Sequence, residues 1–273
     1  MHQLTIEPGR AEHHYWKDLW KYRELFYFLA WRDLLVRYKQ TLVGIAWAFL
    51  RPALTMMVLT VVFGKFAKLP AAGVPYPILV LCGMLPWQFF STALAECGNS
   101  LVHNSSLVSK IYFPRLIVPA SSVIVSLVDF MVSASILALV LLWYQYLPSA
   151  HIFFLPLFVG LAFAAAFGVG LWIAAFMVRY RDFRLIVPFM VQIGFYITPV
   201  AYLYREVVPE KFLLLYALNP MVGVIDGFRW CVLGGQHVLY WPAQAITVGW
   251  TVLLITTGIW YFRRVERTFA DVI

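Results

Sequence analysis

The chain has 273 residues, of which 62% are apolar and only 12% are charged. Soluble domains are about 45–50% apolar and about 25% charged, and a chain of this length cannot bury so much apolar surface in its own core. The composition therefore excludes an ordinary soluble domain and a disordered chain, and it indicates a membrane protein. The formal net charge of +8 comes from short basic stretches between apolar segments, which is typical of topology signals and not of a nucleic-acid-binding face.

The N-terminal segment, residues 16–40, predicts an amphipathic helix in the membrane interface. Its apolar residues recur at intervals of 3, 4 and 7, which is a helical period. They are Trp16, Trp20, Tyr27, Trp31, Leu34 and Tyr38. Most charged residues fall on the other side, whereas Arg23 and Arg37 interrupt the pattern and are expected to snorkel to lipid phosphates. The first residues show no apolar core followed by a cleavage site, so we expect no cleaved signal.

Six later segments are apolar enough to cross a bilayer, which takes about 20 residues. They are residues 42–63, 76–95, 117–143, 152–178, 185–203 and 243–262. The stretch at 210–233 is also apolar, but Pro220 breaks its helix and lipid would not cover the exposed backbone. We predict two short re-entrant helices there, at about 210–218 and 221–233. The predicted fold is an all-α membrane protein, a single domain over 1–273 with six spans.

The distribution of Lys and Arg predicts the orientation of these spans. Fifteen lie in the N-terminal segment, in two of the connections and at the C-terminus, whereas five lie in the remaining connections. Because basic residues are enriched on the cytoplasmic side, we expect both termini in the cytoplasm.

Two charges fall inside predicted spans. Arg51 and Asp129 lie about 14 and 18 Å from the cytoplasmic ends of the first and third spans at about 1.5 Å per residue, which favours an ion pair between two packed helices. Glu96 is an alternative partner. Intramembrane charges are functional candidates by default, but a purely structural pair, or a snorkelling Arg51, explains them as well.

Two basic connections interrupt the apolar chain, at residues 104–119 and 178–184. In the first, Ile111, Tyr112 and Phe113 stand beside Lys110 and Arg115, and we expect all three apolar side chains to be exposed. An exposed apolar knob with basic flanks suits docking to a partner protein. Simple anchoring by positive charge is the alternative.

Aromatic side chains within the spans predict a lumen with flat apolar walls, along which sugar rings would slide. The candidates are Trp47, Trp87, Phe90, Phe195 and Tyr196. Contact with lipid, or ordinary packing, is the alternative. The broken segment predicts an external gate formed by Asn219, Pro220, Asp226 and Arg229, because discontinuous helices usually border a cavity. A rigid external cap is the alternative.

No enzymatic motif accompanies these features. Gly64-Lys65 lacks the other residues of a phosphate-binding loop, and Cys82, Cys97 and Cys231 have no metal-ligand spacing. We expect this chain to bind no metal and not to hydrolyse nucleotide by itself.

Five motifs resemble the membrane subunit of type-2 ABC exporters for O-antigen, capsule or teichoic-acid polysaccharides. They are RDLLVRYKQTLVGIAW from Arg32, KIYFPRLIVP from Lys110, VRYRDFR from Val178, ITPVAY from Ile197 and LNPMVGVIDGFR from Leu218. The resemblance implies a homodimer in the bacterial inner membrane, paired with two cytoplasmic ATPase subunits. ATP and magnesium would bind in those partners, and this chain would bind no cofactor.

The resemblance also implies roles for particular residues. The ATPase-coupling elements would be Lys110, Ile111, Tyr112, Phe113, Arg115, Arg179, Arg181, Asp182 and Arg184. Basic residues beside the interface helix, namely Arg32, Arg37 and Lys39, would attract the lipid pyrophosphate of the substrate. Export of a small drug or lipid, an ion-coupled carrier using Arg51 and Asp129, and an enzyme acting on lipid-linked sugars are the rival hypotheses.

Overall fold

The computed structural model describes residues 11–39, 44–71, 73–234 and 238–269, and all regular secondary structure in these ranges is helical. Five helices of the described residues are long and apolar enough to cross a membrane, and a bent pair of shorter helices brings the number to six if it is one span. The predicted all-α membrane fold is confirmed. The number of crossings stays a prediction.

The N-terminal segment forms two helices where the sequence predicts one. Helix α1 covers Ala11–Lys21, and α2 covers Arg23–Lys39 and packs against a later helix, α6. Most of the predicted aromatic stripe faces away from the bundle, since Trp16, Trp20, Tyr27 and Trp31 are all more than half exposed. Its last two residues, Leu34 and Tyr38, are partly buried. Gln40, at the end of the predicted helix, lies outside the described residues, as do residues 42 and 43 at the start of the predicted first span.

Four long helices form the core of the bundle: α4 (Tyr76–His103), α6 (Ile117–Trp143), α7 (Leu155–Arg179) and α12 (Trp241–Val265). Helix α4 is central and packs against both α6 and α7, and α7 also packs against α12. Helix α4 extends to His103, past the predicted end at residue 95, and α5 (Ser105–Lys110) follows it. Polar residues ended the predicted span at Glu96, but here they lie on a protein-facing side of α4 and the helix continues.

Helices α3 (Gly44–Leu59) and α8 (Phe183–Ile197) pack loosely and expose large apolar side chains. A π-helical segment, Thr60–Phe66, continues α3. Helix α8 has 15 residues and ends before the predicted limit at residue 203. The reason is local, because Pro199 disfavours a helical conformation at Thr198, and Thr198 is indeed extended.

The segment after α8 is broken, as its sequence predicts. It contains α9 (Tyr204–Val207), α10 (Leu213–Tyr216) and α11 (Pro220–Leu233). The axis turns by 107° between residues 210–216 and α11. Helix α11 packs against α4, α7 and α12, so its backbone is covered by protein.

The bundle has two distinct ends. At the basic end, α4, α7 and α12 finish and α6 begins, so that the 111–116 loop, the 180–182 turn and the residues after α12 lie together. At the re-entrant end, α4, α7 and α12 begin, and α11 packs against their first turns.

Candidate functional site

A polar groove runs between α2, α3, α4 and α6. Apart from the adjacent Ser91 and Thr92, its polar lining side chains recur every three or four residues on α4 and α6, which places them on one face of each helix. On α4 they are Gln88, Ser91, Thr92, Glu96 and Ser100, and on α6 they are Ser122, Ser126, Asp129 and Ser133. Hydroxyl, amide and carboxylate groups are thus concentrated along one path through an apolar bundle.

Two cavities occupy this groove. The deeper one has a volume of about 470 Å³ and is lined by Trp47, Arg51 and Phe130 together with polar residues of α4 and α6. The second, of about 450 Å³, lies nearer the basic end and is bordered by Glu96 and His103. The deeper cavity combines aromatic faces with hydrogen-bonding groups, which is the combination that sugar rings require.

Arg37 lies between the two cavities and borders both. Its Nη2 is 3.1 Å from Glu96 Oε1, and its Nη1 is 2.9 Å from Asp129 Oδ2. Tyr38 donates a hydrogen bond to the other oxygen of Asp129, and burial, followed by this bond, raises the pKa of Tyr38. These contacts fasten the end of α2 to α4 and α6.

The predicted pair between Arg51 and Asp129 is therefore wrong. Arg51 is exposed and borders the deeper cavity, whereas Asp129 pairs with Arg37. The reason is that α2 packs against α6 and places Arg37, not Arg51, beside Asp129. The alternative partner for Arg51, Glu96, is also held by Arg37.

Arg32 also attaches α2 to the rest of the bundle, nearer the basic end. Its guanidinium donates to Asp33 at 2.7 Å and to Asn104 Oδ1 at 2.7 Å. Of the three basic residues predicted to attract a pyrophosphate, Arg32 and Arg37 are thus already held by protein groups, and Lys39 is exposed.

The aromatic residues predicted to line a lumen divide into two groups. Trp47 borders the deeper cavity, and Tyr196 is 71% exposed on the outside of α8. Trp87 is buried and packs against Phe90 and Phe195, with ring centroids 5.6 and 6.5 Å apart. For Trp87 the predicted exposure to a lumen is wrong, because Gly194 on α8 leaves room for the indole.

The 111–116 loop presents two apolar side chains where the sequence predicts three. Ile111 and Tyr112 are 54% and 60% exposed, but Phe113 is only 4% exposed. The predicted exposure of Phe113 is wrong, because the ring packs into the main core under the loop. The second basic connection lies at the same end, and its Arg179, Arg181, Asp182 and Arg184 are exposed.

A third cavity, called here the basic cavity, lies between α1, the 111–116 loop and the end of α12, with a volume of about 580 Å³. Its charged lining consists of Asp18, Lys21, Arg115, Arg263, Arg264, Glu266 and Arg267. Tyr15 donates to Glu266 Oε2 at 3.1 Å. Burial raises the pKa of Glu266 to about 7, and burial together with Glu266 raises the pKa of Tyr15.

The residues predicted to form an external gate are tightly packed. Asn219 caps α11 by accepting from the Met221 amide at 3.0 Å, and it donates to Thr198 at 2.9 Å. Arg229 is 1% exposed and donates to the carbonyl oxygens of Tyr202 and Val200 at 2.8 and 2.9 Å. Asp226 is equally buried and accepts from the Tyr240 amide. This geometry favours the alternative of a rigid cap.

Four polar groove residues were not predicted from the sequence, namely Gln88, Ser91, Ser126 and Ser133. A signal for them was available: polar residues spaced by three or four within an apolar helix mark one polar face. The partner of that face, α2, was not predictable, because nothing in the sequence indicates that an interface helix covers two spans.

Comparisons with known proteins place the geometry in context. The profile of the ABC-2 type transporter family matches residues 24–233. The O-antigen export system permease protein RfbA of Myxococcus xanthus is 29% identical over 78% of this chain and 82% of its own length. RfbA of Klebsiella pneumoniae is 25% identical over 89% of this chain and 92% of its own length. The polysialic acid transport protein KpsM of Escherichia coli is 21% identical over 75% and 79%.

Proposed function

The chain belongs to the ABC-2 type transporter family, and from that premise we propose that it is the membrane subunit of an ATP-driven polysaccharide exporter. Its substrate would be a polymer on a lipid pyrophosphate, carried outward from the cytoplasmic side of the bacterial inner membrane. The relatives named as O-antigen and polysialic acid transport proteins align over three quarters or more of this chain. ATP hydrolysis belongs to a separate subunit, which would bind the nucleotide and magnesium.

The single observation that carries the proposal is the polar groove. The groove serines Ser91, Ser100, Ser122 and Ser126 donate to carbonyl oxygens of their own helices. The amide and charged groups beside them are costly to hold against lipid, because such groups away from water cost free energy unless they are paired. In the groove these groups face cavities and the aromatic ring of Trp47. Sugar hydroxyls would exchange hydrogen bonds with the walls, and sugar faces would stack on the indole.

Coupling to the ATPase would run through the basic end. Ile111 and Tyr112 are exposed on the short loop between α5 and α6, so a push on this loop reaches the first turn of α6 directly. Helix α6 carries Asp129, which holds Arg37. A displacement of α6 would therefore change the contact that separates the two groove cavities, in a rigid-body transition biased by the partner's nucleotide state.

The proposed assembly is a homodimer with two ATPase subunits. The apolar faces of α3 and α8 support it, since Leu54, Val58, Phe189 and Tyr196 are all exposed within one protomer. A second copy would cover part of these faces and would close the side of the deeper cavity bordered by α3. Both termini would lie in the cytoplasm, as the distribution of basic residues predicts.

Transport by the reconstituted complex tests the proposal. The chain and its ATPase partner, incorporated into vesicles, should move lipid-linked polysaccharide when ATP is supplied. Gln88→Leu combined with Ser133→Leu should reduce transport strongly without lowering the yield of folded protein. Thr256→Leu, on the exposed side of α12, is the matched control and should transport normally.

Three outcomes would contradict the proposal. Transport of a labelled small drug or lipid without any transport of polymer would favour the first rival. Transport that stops with a protonophore but survives ATP depletion would favour an ion-coupled carrier. Conversion of a lipid-linked sugar by the isolated chain would favour a membrane enzyme.

A further inference from the structure

The basic cavity has a composition that the export pathway does not explain. Five of its lining residues are basic, namely Lys21, Arg115, Arg263, Arg264 and Arg267, against two acidic residues, Asp18 and Glu266. It lies between α1 and the end of α12, on a different side of the molecule from the polar groove.

Four of these basic side chains make no direct ion pair with a described residue, and Arg115 and Arg263 act on the Glu266 carboxylate only through space. Within the described ranges, Lys21, Arg115, Arg263 and Arg264 form no ion pair, whereas Arg32 and Arg37 of α2 do. Arg263 instead lies over the ring of Tyr15, with Cζ 4.4 Å from the ring centroid, and Arg264 lies 5.6 Å over Trp260. Cations that lie over aromatic rings keep their N–H groups free to donate to an anion.

Tryptophan residues place this cavity at the level of lipid headgroups. Trp16 and Trp260, beside Arg263 and Arg264, are 55% and 59% exposed. Exposed Trp next to Arg at the end of a membrane-spanning helix is typical of the boundary between acyl chains and headgroups. A basic pocket between helices on the cytoplasmic side is a recurrent binding site for anionic lipid headgroups.

The walls of the cavity are fixed before any ligand arrives. Tyr15 is buried and bonded to Glu266, which joins α1 to the turn after α12. Tyr22 donates to the carbonyl of Tyr112 at 3.4 Å, which joins the junction of α1 and α2 to the 111–116 loop. A preformed site loses less conformational entropy on binding.

We propose that the basic cavity binds the phosphate group of an anionic lipid headgroup in the cytoplasmic leaflet. Lys21 and Arg264, which are exposed, would meet the headgroup first, and Arg115 and Arg263 would hold the phosphate deeper in the cavity. The inference rests on the proposed function only in placing the basic end at the cytoplasmic leaflet. Because the cavity borders the 111–116 loop, a bound headgroup would also support the loop that docks the ATPase.

Lipid titration of the full chain in detergent, read by native mass spectrometry, tests the inference. The probes are phosphatidylglycerol and undecaprenyl pyrophosphate, with phosphatidylcholine as the neutral lipid. Arg263→Gln combined with Arg264→Gln should weaken anionic lipid binding about tenfold or more, since each juxtamembrane cation contributes on the order of 1 kcal/mol. Lys65→Gln combined with Lys68→Gln, an exposed basic pair at the re-entrant end, should leave it unchanged.

The two anionic probes identify the source of the phosphate. If the Arg263/Arg264 variant loses only phosphatidylglycerol binding, the site belongs to bulk phospholipid. If it loses only undecaprenyl pyrophosphate binding, the site belongs to the substrate carrier. Equal binding of both probes by wild type and the Arg263/Arg264 variant, or an equal loss in the Lys65/Lys68 control, would overturn the inference.

A second variant covers the case in which the arginine variant does not fold. Lys21→Gln changes one exposed side chain, and it should weaken binding several-fold while its melting temperature stays that of wild type. Unchanged binding in this variant would count against the cavity. Polysaccharide export by the wild-type complex is measured separately, so loss of the lipid site and loss of the proposed function would be distinguishable.

Discussion

The re-entrant end and the basic end hold their charged residues in opposite ways. Arg229 at the re-entrant end is fully buried and donates to the backbone carbonyl oxygens of Val200 and Tyr202. Arg37, toward the basic end, is partly exposed and pairs with two carboxylate side chains, Glu96 and Asp129. One arginine is held by main-chain carbonyl groups of an irregular segment, and the other by carboxylate side chains of α4 and α6.

The re-entrant end is also more tightly packed than the basic end. Every residue from Met221 to Arg229 in α11 is buried, whereas the groove and the basic cavity open between α1, α2 and the spans. Regions with few buried contacts and exposed polar bonds are the ones that open locally. The buried contacts favour a rigid cap at the re-entrant end, and we expect larger conformational changes at the basic end.

Removal of the buried arginine should have the largest effect. Arg229→Met deletes two charge-assisted hydrogen bonds and leaves two buried carbonyl groups without donors, which should cost about 4 kcal/mol of stability. Thermal unfolding in detergent is the measurement. Arg205→Met, at an exposed arginine near the same end, is the control and should melt as wild type does. A wild-type melting temperature for Arg229→Met would remove the rigid-cap interpretation.

Two variants of the 111–116 loop should distinguish a role in packing from a role in docking the ATPase. Phe113→Ala creates a cavity under the loop and should cost about 3 kcal/mol of stability. Ile111→Ala combined with Tyr112→Ala removes only exposed side chains, so the melting temperature should not change while stimulation of the partner's ATPase activity by this chain is lost. Full stimulation by the Ile111/Tyr112 variant would contradict the docking role.

Glycine substitutions should sharpen the contrast in packing. A Cβ added at Gly83 would lie 2.1 Å from the carbonyl oxygen of Val200, beside Arg229. Gly83→Ala should therefore cost about 2 kcal/mol of stability, because the backbone must shift. At Gly249 a Cβ meets nothing within 4 Å, so Gly249→Ala should be neutral or slightly stabilising in the α12 helix. Equal melting temperatures for the two variants would mean that the backbone around Gly83 accommodates the added methyl group, and that the re-entrant end is not rigid.

A smaller effect is expected at Arg37. Arg37→Gln breaks both ion pairs, and since a partly exposed pair contributes on the order of 1 kcal/mol, the fold should persist while α2 detaches more often. Ala30 lies on the buried face of α2, so maleimide labelling of a cysteine at position 30 measures the detachment and should accelerate several-fold. Arg51→Gln borders the same groove without an ion pair and is the control. An unchanged labelling rate for Arg37→Gln would show that the ion pairs do not hold α2.

A pH dependence of stability is expected at the basic end. Burial raises the pKa of Glu266 to about 7 from an ordinary value of 4.5, so the folded state holds a proton that the unfolded state releases between these values. Stability relative to Glu266→Gln should therefore fall as pH rises from about 4.5 to about 7. Melting temperatures of the two proteins at pH 5 and pH 8 test this. A difference in melting temperature between the two proteins that is larger at pH 5 than at pH 8 would contradict the predicted direction.

Several elements were predictable from the sequence. Helix α6 spans Ile117–Trp143 as predicted, because its apolar run is bounded by a basic loop and a polar turn. The bend before α11 falls at Pro220, since proline removes a helical donor. The length of α4 was underestimated, because hydropathy at Glu96 does not reveal that a protein helix covers the polar face.

Composition and periodicity determined the helical membrane fold, the positions of the apolar helices and the break near Pro220, because these depend on transfer free energies and backbone geometry within a local stretch of chain. Tertiary structure alone decided that Arg37 instead of Arg51 pairs with Asp129, that Phe113 is buried, and that basic side chains of α1, the 111–116 loop and α12 border one cavity. Such contacts depend on which helix packs against which. Packing of helices far apart in the chain is set by the fit of whole surfaces, and no local pattern records it.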